Sequence, residues 1–390
     1  MPPYGDHFIV ADSEIIIRVV RGFVGGRWAD AGESAPLISA TGCDQTRPTV
    51  VVSGATDVAN DPWWGINRLM TLSRRSLIRS VAAVSATALV TGGGTARAAT
   101  TLHTAATTGS AVPADWMGAL PDALSLLRMT MPGTHDSGCT DPANGTEWSH
   151  TQNWGITEQL QRGIRFLDIR ANGLQGHPDD SFGIYHAAYY QGITFDEVLA
   201  QCSDFLRQHP GETIVMRLKK ENGTNNDVGA RFKDILNVYL DTKGWRPWFL
   251  LADRAPSLGE ARGRIVLIAQ FDNDWPILQW PTGDNDFLSN QWFSLQDIYQ
   301  GLSRPSLKTA KVTQQFDNAI GDQESALMYV NFTSYAGGGW PKVNADAIMP
   351  GVQSYLNAHL SDRTHLGIVP MDFPDFHSDT LSTLIDWNWH

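Results

Sequence analysis

From about residue 125 the chain alternates short, mostly apolar runs with amphipathic stretches of helical period, and this alternation restricts its fold more than any other feature. Runs at 126–131, 164–169, 182–185, 213–218, 264–271, 327–332 and 366–371 read as strands covered on both faces. Segments 195–208, 228–240, 307–319 and 344–360 read as helices between them, with Thr194 and Asn344 as predicted N-caps. Buried strands joined by helices predict a parallel sheet. A closed (β/α) barrel suits the size of this region, with an irregularity where 271–327 shows little helix. An open doubly wound sheet is the alternative, although no Gly-rich nucleotide loop follows the first strand. Residues 272–286, rich in Asp, Asn, Trp and Pro, predict a long surface loop.

The first hundred residues do not share this pattern. Residues 70–98 hold Met70, the pair Arg74 and Arg75, a short apolar run to Val90, and the small-residue sequence Ala96-Arg97-Ala98. That is the pattern of a cleaved twin-arginine export signal. The apolar run is too short, and too diluted by Ser, Thr and Gly, to cross ~30 Å of hydrocarbon. Export of a folded protein from a bacterium is the expectation, with the product outside the cell. Residues 1–69 then read as a mis-assigned or disordered extension ahead of the true start at Met70, and 99–390 as the functional domain.

From Ala99 onward 20 Lys and Arg face 33 Asp and Glu, a net charge of −13. No basic stripe is available to follow a phosphate backbone, so nucleic acid is not an expected partner. A general electrostatic hold on anionic membranes is equally disfavoured. Any phosphate must be gripped locally by a few buried cations. Cys139 and Cys202 remain in this region; export permits a disulfide, and their pairing is left open. No Cys-x-x-Cys or His-x-x-x-His spacing suggests a metal.

The strand ends carry the reactive side chains, and barrel enzymes assemble their sites there. After the first run, the stretch MPGTHDSG from Met131 to Gly138 turns on Pro132 and Gly133 and sets His135 beside Asp136. The second run closes with Asp168 and Arg170, two positions apart and so on one strand face. The third ends at His186, the fourth at Lys219, the last at Asp372. Singly, each has a plain structural reading: a hydrogen-bonding histidine, a rim ion pair, a solvated lysine, a capping aspartate. Five such coincidences at five strand ends are less credible than one site. Two imidazoles, paired carboxylates, an Arg and a Lys suit phosphoryl transfer. One His takes a proton from an attacking hydroxyl and the other protonates the departing oxygen, while Arg stabilises the developing charge. An imidazole near its ordinary pKa of ~6.5 serves either role at neutral pH. The best nucleophile is an alcohol of the substrate itself, which attacks at high effective concentration; Ser137 lacks a nucleophile-elbow context.

The segments PGTHDS, LDIR and ETIVMRLKKE together resemble the bacterial phosphatidylinositol-specific phospholipases C, over a span from about Met129 to Asp372. The resemblance implies a single distorted (β/α)8 TIM barrel in 99–390. It implies attack of the inositol 2-hydroxyl on the phosphodiester, giving diacylglycerol and a 1,2-cyclic inositol phosphate that is slowly hydrolysed. His135 then matches the general base, oriented by Asp372, and His186 the general acid, with Asp136 as its carboxylate. Arg170 matches the cation on the phosphate, with Asp168 close by, and Lys219 a lysine at the inositol site. Asp297 and Tyr299 resemble an inositol-contacting Asp and a stacking Tyr. Gln270 stands where the best-known branch has an inositol-binding Arg after the strand, and Ala187-Ala188 replaces a Gly-Pro. The calcium-dependent branch carries an Asn and acidic ligands where this chain has Asp136, Phe166 and Lys219. The resemblance therefore implies no cofactor and no metal, and a monomer acting on phosphatidylinositol in a membrane surface.

A lipid substrate requires contact with an interface, and exposed aromatic rings make such contact without positive charge. Trp275, Trp280 and Trp292, or Tyr189 and Tyr190, are the candidates, against a plain reading as packing. Two further functions compete: a metal-dependent barrel phosphodiesterase on glycerophosphodiesters or sphingolipids, and a non-catalytic lipid- or inositol-binding barrel.

Overall fold

The computed structural model describes residues 113–389 apart from 224, 323, 325, 362 and 363; the expected export signal and the extension before it lie outside the described residues. Among the described residues one sheet holds twelve strands: β1 Thr130–Thr134, β2 Phe166–Leu174, β3 His177–His186, β4 Tyr189–Thr194, β5 Ile214–Lys220, β6 Phe249–Leu250, β7 Ile265–Gln270, β8 Leu278–Gln279, β9 Phe287–Ser289, β10 Phe293–Gln296, β11 Met328–Asn331 and β12 Gly367–Met371. The helices are α1 Ile156–Gln161, α2 Phe195–Gln208, α3 Phe232–Asn237, α4 Leu258–Ala261, α5 Pro305–Gly321, α6 Pro341–Ala358 and α7 Ser378–Asp386.

The strands run in the order β6-β7-β5-β2-β1-β12-β11-β10-β9, parallel as far as β10, with β9 antiparallel at the end. This is the expected barrel, and it is distorted: among the described residues no backbone ladder joins the β7 edge to β9 or β10. Side chains fill the seam instead. Trp280, just after β8, meets Phe293 of β10 at 5.7 Å and Phe332 beyond β11 at 6.1 Å between ring centroids. Such aromatic contacts bury large areas where backbone pairing is missing.

Helix α2 matches the predicted 195–208 because both of its determinants are local. Thr194 accepts from the Glu197 amide while the Glu197 carboxylate accepts from the Thr194 amide, a reciprocal cap. Behind it, Val198, Leu199, Cys202, Phe205 and Leu206 recur at helical spacing and are buried. At the opposite end of the barrel from the strand tips, fully buried Arg165 donates from Nε to Glu212 at 2.8 Å and from Nη2 to the Ala114 carbonyl, pinning the residues before β1.

Several expectations are corrected. The first strand starts later than 126, since Ser125 caps a 3-10 turn over Leu126–Arg128. It then runs straight through Pro132 and Gly133 instead of turning there. Pro132 has no N–H, and the ladder to β2 begins only after it, at Gly133. Gly133 is required for close approach: a Cβ there would lie 2.8 Å from the Phe166 ring. Asn344 lies inside α6 and caps nothing; its Nδ2 donates to the carbonyls of Tyr335 and Gly339, tying the preceding loop to the helix. The predicted helix 228–240 is a 3-10 turn, then α3, then a π turn over Val238–Thr242. The supposed surface loop 272–286 contains β8, with Ile277, Leu278 and Trp280 buried. The open question of Cys139 and Cys202 is answered as well: they are separate buried thiols and form no disulfide.

Candidate active site

The strand tips of β1, β2, β5, β7, β10 and β12 surround a cavity of about 430 Å³ lined by His135, Arg170, His186, Lys219, Gln270, Asp297, Tyr299 and Asp372 among others. Asp136 and Asp168 lie beneath it and are buried. All ten expected residues are therefore brought together. His186 arrives by an unexpected route. Its strand, β3, pairs antiparallel with β2 and with β4 and lies off the barrel path, so the imidazole sits at the tip of a hairpin.

Asp136 organises the centre. It follows β1 at φ 44°, a left-handed conformation that Asp adopts more readily than most residues. The turn is held by the Ser137 amide donating to the Asp168 carbonyl at 3.0 Å, and the Asp136 amide donates to Asp168 Oδ2 at 3.1 Å. His135 Nε2 lies 3.4 Å and His186 Nε2 3.5 Å from the same oxygen, Asp136 Oδ2. Arg170 Nε meets the other oxygen at 2.7 Å, and its Nη2 meets Asp168 Oδ2 at 2.9 Å. On the far side, His135 Nδ1 is 2.8 Å from Asp372 Oδ1. An ionised carboxylate can only accept, so Nδ1 carries a proton, and in the neutral imidazole Nε2 holds the lone pair, toward the cavity centre.

These contacts set the charge states. Burial disfavours the His135 imidazolium, but Asp372 and Asp136 outweigh it and raise the pKa above its ordinary value. Burial likewise opposes ionisation of Asp168, yet Arg170 and Arg217 hold its carboxyl well below the usual carboxylate range. Lys219 is pushed down by burial and by Arg170, against its partner Glu221, whose Oε2 lies 2.9 Å from Nζ. Tyr299 is pushed up to about 12 by burial and by its hydrogen bond to Asp284.

The comparison with known proteins decides what this site belongs to. The model of the phosphatidylinositol-specific phospholipase C X domain matches residues 129–271. The 1-phosphatidylinositol phosphodiesterase of Listeria monocytogenes is 31% identical over 286 residues, covering 70% of this chain and 84% of that protein. The chain belongs to the phosphatidylinositol-specific phospholipase C family. A protein of the same description from Staphylococcus aureus is 27% identical over 304 residues, 71% of this chain and 94% of its own. A solved structure of a Staphylococcus aureus phosphatidylinositol-specific phospholipase C variant has a TM-score of 0.64 at 26% identity, covering 72% of this chain and 97% of that one. The Listeria monocytogenes phospholipase structure has a TM-score of 0.58 at 25% identity, covering 72% and 100%. The barrel, the strand-tip site and the family membership therefore agree.

Two site residues of this phospholipase family member escape a reading confined to strand ends. Arg217 lies within β5, directly across from Asp168 in the β2–β5 register. Its Nη1 is 2.9 Å from Asp168 Oδ1 and its Nε 2.8 Å from Gln270 Oε1. Alternation along β5 was the available clue, since Arg217 and Lys219 share a strand face as Asp168 and Arg170 do. Glu221 is the second: it holds Lys219, and its Oε1 accepts from the Ala187 amide at 3.1 Å, bracing the His186 hairpin. The tryptophans near the expected loop are corrected too. Trp280 is 6% exposed, and Trp275 and Trp292 are half-buried against the core. Trp292 also donates from Nε1 to the Asp253 carbonyl. Tyr189 and Tyr190 stay exposed, joined by Trp148 and Trp340.

Proposed function

We propose that this chain is an exported phosphatidylinositol-specific phospholipase C working by two-imidazole acid–base catalysis. His135, held by Asp372 with its Nε2 lone pair free, removes the proton of the inositol 2-hydroxyl. The alkoxide oxygen bonds to phosphorus, and the bond from phosphorus to the diacylglycerol oxygen breaks. His186 donates its proton to that oxygen, so diacylglycerol leaves neutral and a 1,2-cyclic inositol phosphate remains. Arg170 stabilises the charge on the non-bridging oxygens, as a fixed cation does in phosphoryl transfer. Asp136 lies near both imidazoles and can support the charge on whichever is protonated. Lys219, Asp297 and Tyr299 line the same cavity and take the inositol ring. The convergence of His135 and His186 on one Asp136 oxygen, with Arg170 on the other, carries this reading.

The acidic pair beneath the cavity is already matched by guanidinium groups, Arg170 on both aspartates and Arg217 on Asp168. Turnover is therefore expected to persist in EDTA. The test is diacylglycerol release from vesicles of phosphatidylinositol or phosphatidylcholine, with and without chelator. Release from phosphatidylinositol alone, unaffected by EDTA, is expected. Loss in EDTA would favour the metal-dependent phosphodiesterase, and no release from phosphatidylinositol would reject the proposal.

The pH profile offers a second check. His135 acts only when neutral, so kcat/KM falls as the pH drops through its raised pKa, giving an acidic limb above about 6.5. Asp372→Asn removes a negative charge that favours the imidazolium, so the limb moves to lower pH. The rate also falls, by about 10²-fold or more, because an amide can turn its NH₂ toward Nδ1 and select the wrong tautomer. An unmoved limb would assign it to another group.

Contact with the lipid surface is carried by the rim. Trp148 is 55% exposed and lines the cavity, Trp340 is 50% exposed between the lining residues Gly339 and Pro341, and Tyr189 is 47% exposed opposite His186 in the hairpin. Aromatic rings in such positions tolerate the headgroup zone. Trp148→Ala with Trp340→Ala is expected to weaken sedimentation with phosphatidylinositol vesicles by about tenfold or more. Hydrolysis of soluble cyclic inositol phosphate should change little. Equal losses on both substrates would place these rings in catalysis instead.

A further inference from the structure

The described part of this chain places a second guanidinium in the cavity that the reaction above does not use. Arg217 is 3% exposed yet lines the cavity. It shares the Asp168 carboxylate with Arg170, each on a different oxygen: Oδ1 takes Arg217 and Oδ2 takes Arg170. Arg170 is committed to the phosphorus side through Asp136. Arg217 sits one strand farther along the sheet, on the face of β5 that also carries Lys219, and its side chain reaches across the β5–β7 pairing to Gln270, two residues beyond its register partner Ile268.

We propose that Arg217 is the guanidinium that grips the inositol ring, and that Gln270 holds Arg217 in place through its Oε1. This rests on the phospholipase reading and deepens it. Donor accounting supports it. A guanidinium has five N–H groups in a fixed fork. Nε and Nη2 donate to Gln270 Oε1, and Nη1 donates once to Asp168 Oδ1. Two N–H groups remain for a ligand, enough to meet a pair of neighbouring ring hydroxyls. Trp280 lies against the guanidinium, its ring centroid 4.3 Å from Cζ, and stops the fork from swinging away from the cavity. Gln270 Oε1 is occupied by Arg217, which is why glutamine suits this position: it accepts from the fork without adding charge. The departure at position 270 is thus accompanied by an arginine on the adjacent strand, so a cationic grip comes from β5 where the best-known branch supplies it after β7.

A purely structural ion pair would also bury Arg217 beside Asp168, so the test must read the ligand. Arg217→Lys keeps the charge for Asp168 and loses the planar fork. Binding of free myo-inositol, followed by saturation-transfer NMR, needs no turnover. Arg217→Lys is expected to weaken it by about tenfold or more, with KM for phosphatidylinositol rising in parallel and the unfolding temperature close to wild type. Arg217→Ser combined with Gln270→Arg, which returns the fork from β7, should recover part of the affinity. A folded Arg217→Lys variant with wild-type inositol affinity would overturn the proposal, as would a loss confined to kcat. Wild type that binds myo-inositol but never cleaves phosphatidylinositol would instead reject the phospholipase reading and leave the grip standing.

Discussion

His135→Ala is expected to lower kcat on phosphatidylinositol by about 10²–10⁴-fold, and His186→Ala by a similar factor, the usual range for a general base or acid. The two losses have different chemistry and can be separated. His186 is needed only because a diacylglycerol alkoxide is a poor leaving group. A substrate releasing a phenolate of low pKa needs no proton at that oxygen, so it should restore much of the rate to His186→Ala and little to His135→Ala. The inverse pattern would exchange the two roles. Combining the substitutions should cost less than the product of the single losses, because acid and base serve one transition state. The assignment follows from geometry: of the two site imidazoles, His135 has a carboxylate on Nδ1, at 2.8 Å, which leaves Nε2 as the acceptor of its neutral form.

Arg170→Ala is expected to cost about 10³–10⁵-fold, the range of a cation acting on a transferring phosphoryl group. The loss should fall on kcat, since charge on the non-bridging oxygens grows toward the transition state. There is a second signature. Arg170 lowers the His135 pKa, although more weakly than Asp372 and Asp136 raise it. Its removal should therefore move the acidic limb of the profile upward, opposite to Asp372→Asn. Arg170→Lys keeps the charge and loses the fork that now spans Asp136 and Asp168, so it should recover only part of the rate. Equal activity in wild type and Arg170→Ala would remove Arg170 from the reaction.

Much of this architecture is legible in the residues because its causes are local. Helix α2 is bounded by a cap and an apolar stripe, and β7 is an unbroken apolar run. His135, Asp168, Arg170 and Asp372 could be found because parallel strands collect their tips at one end. Three of the errors share a cause: they depend on partners distant in sequence. Gly133 looks like a turn residue until Phe166 is seen packed on it. Trp280 stands among Asp, Asn and Pro and looks like a surface residue, although it closes the barrel seam. Arg217 sits inside a strand, where a charge looks out of place until Asp168, Gln270 and Trp280 supply its surroundings. The β3–β4 excursion that delivers His186 is hidden because the polar first half of β3, residues 177–181, reads as loop and leaves visible only the short apolar run 182–185, which looks like a barrel strand.

The most direct measurement is phosphorus NMR of the purified protein turning over phosphatidylinositol in EDTA. Attack by the substrate's own hydroxyl requires a five-membered cyclic phosphate to accumulate first and a phosphomonoester to follow slowly. Direct appearance of the monoester, or of phosphatidic acid, would contradict transfer between two imidazoles onto a neighbouring hydroxyl.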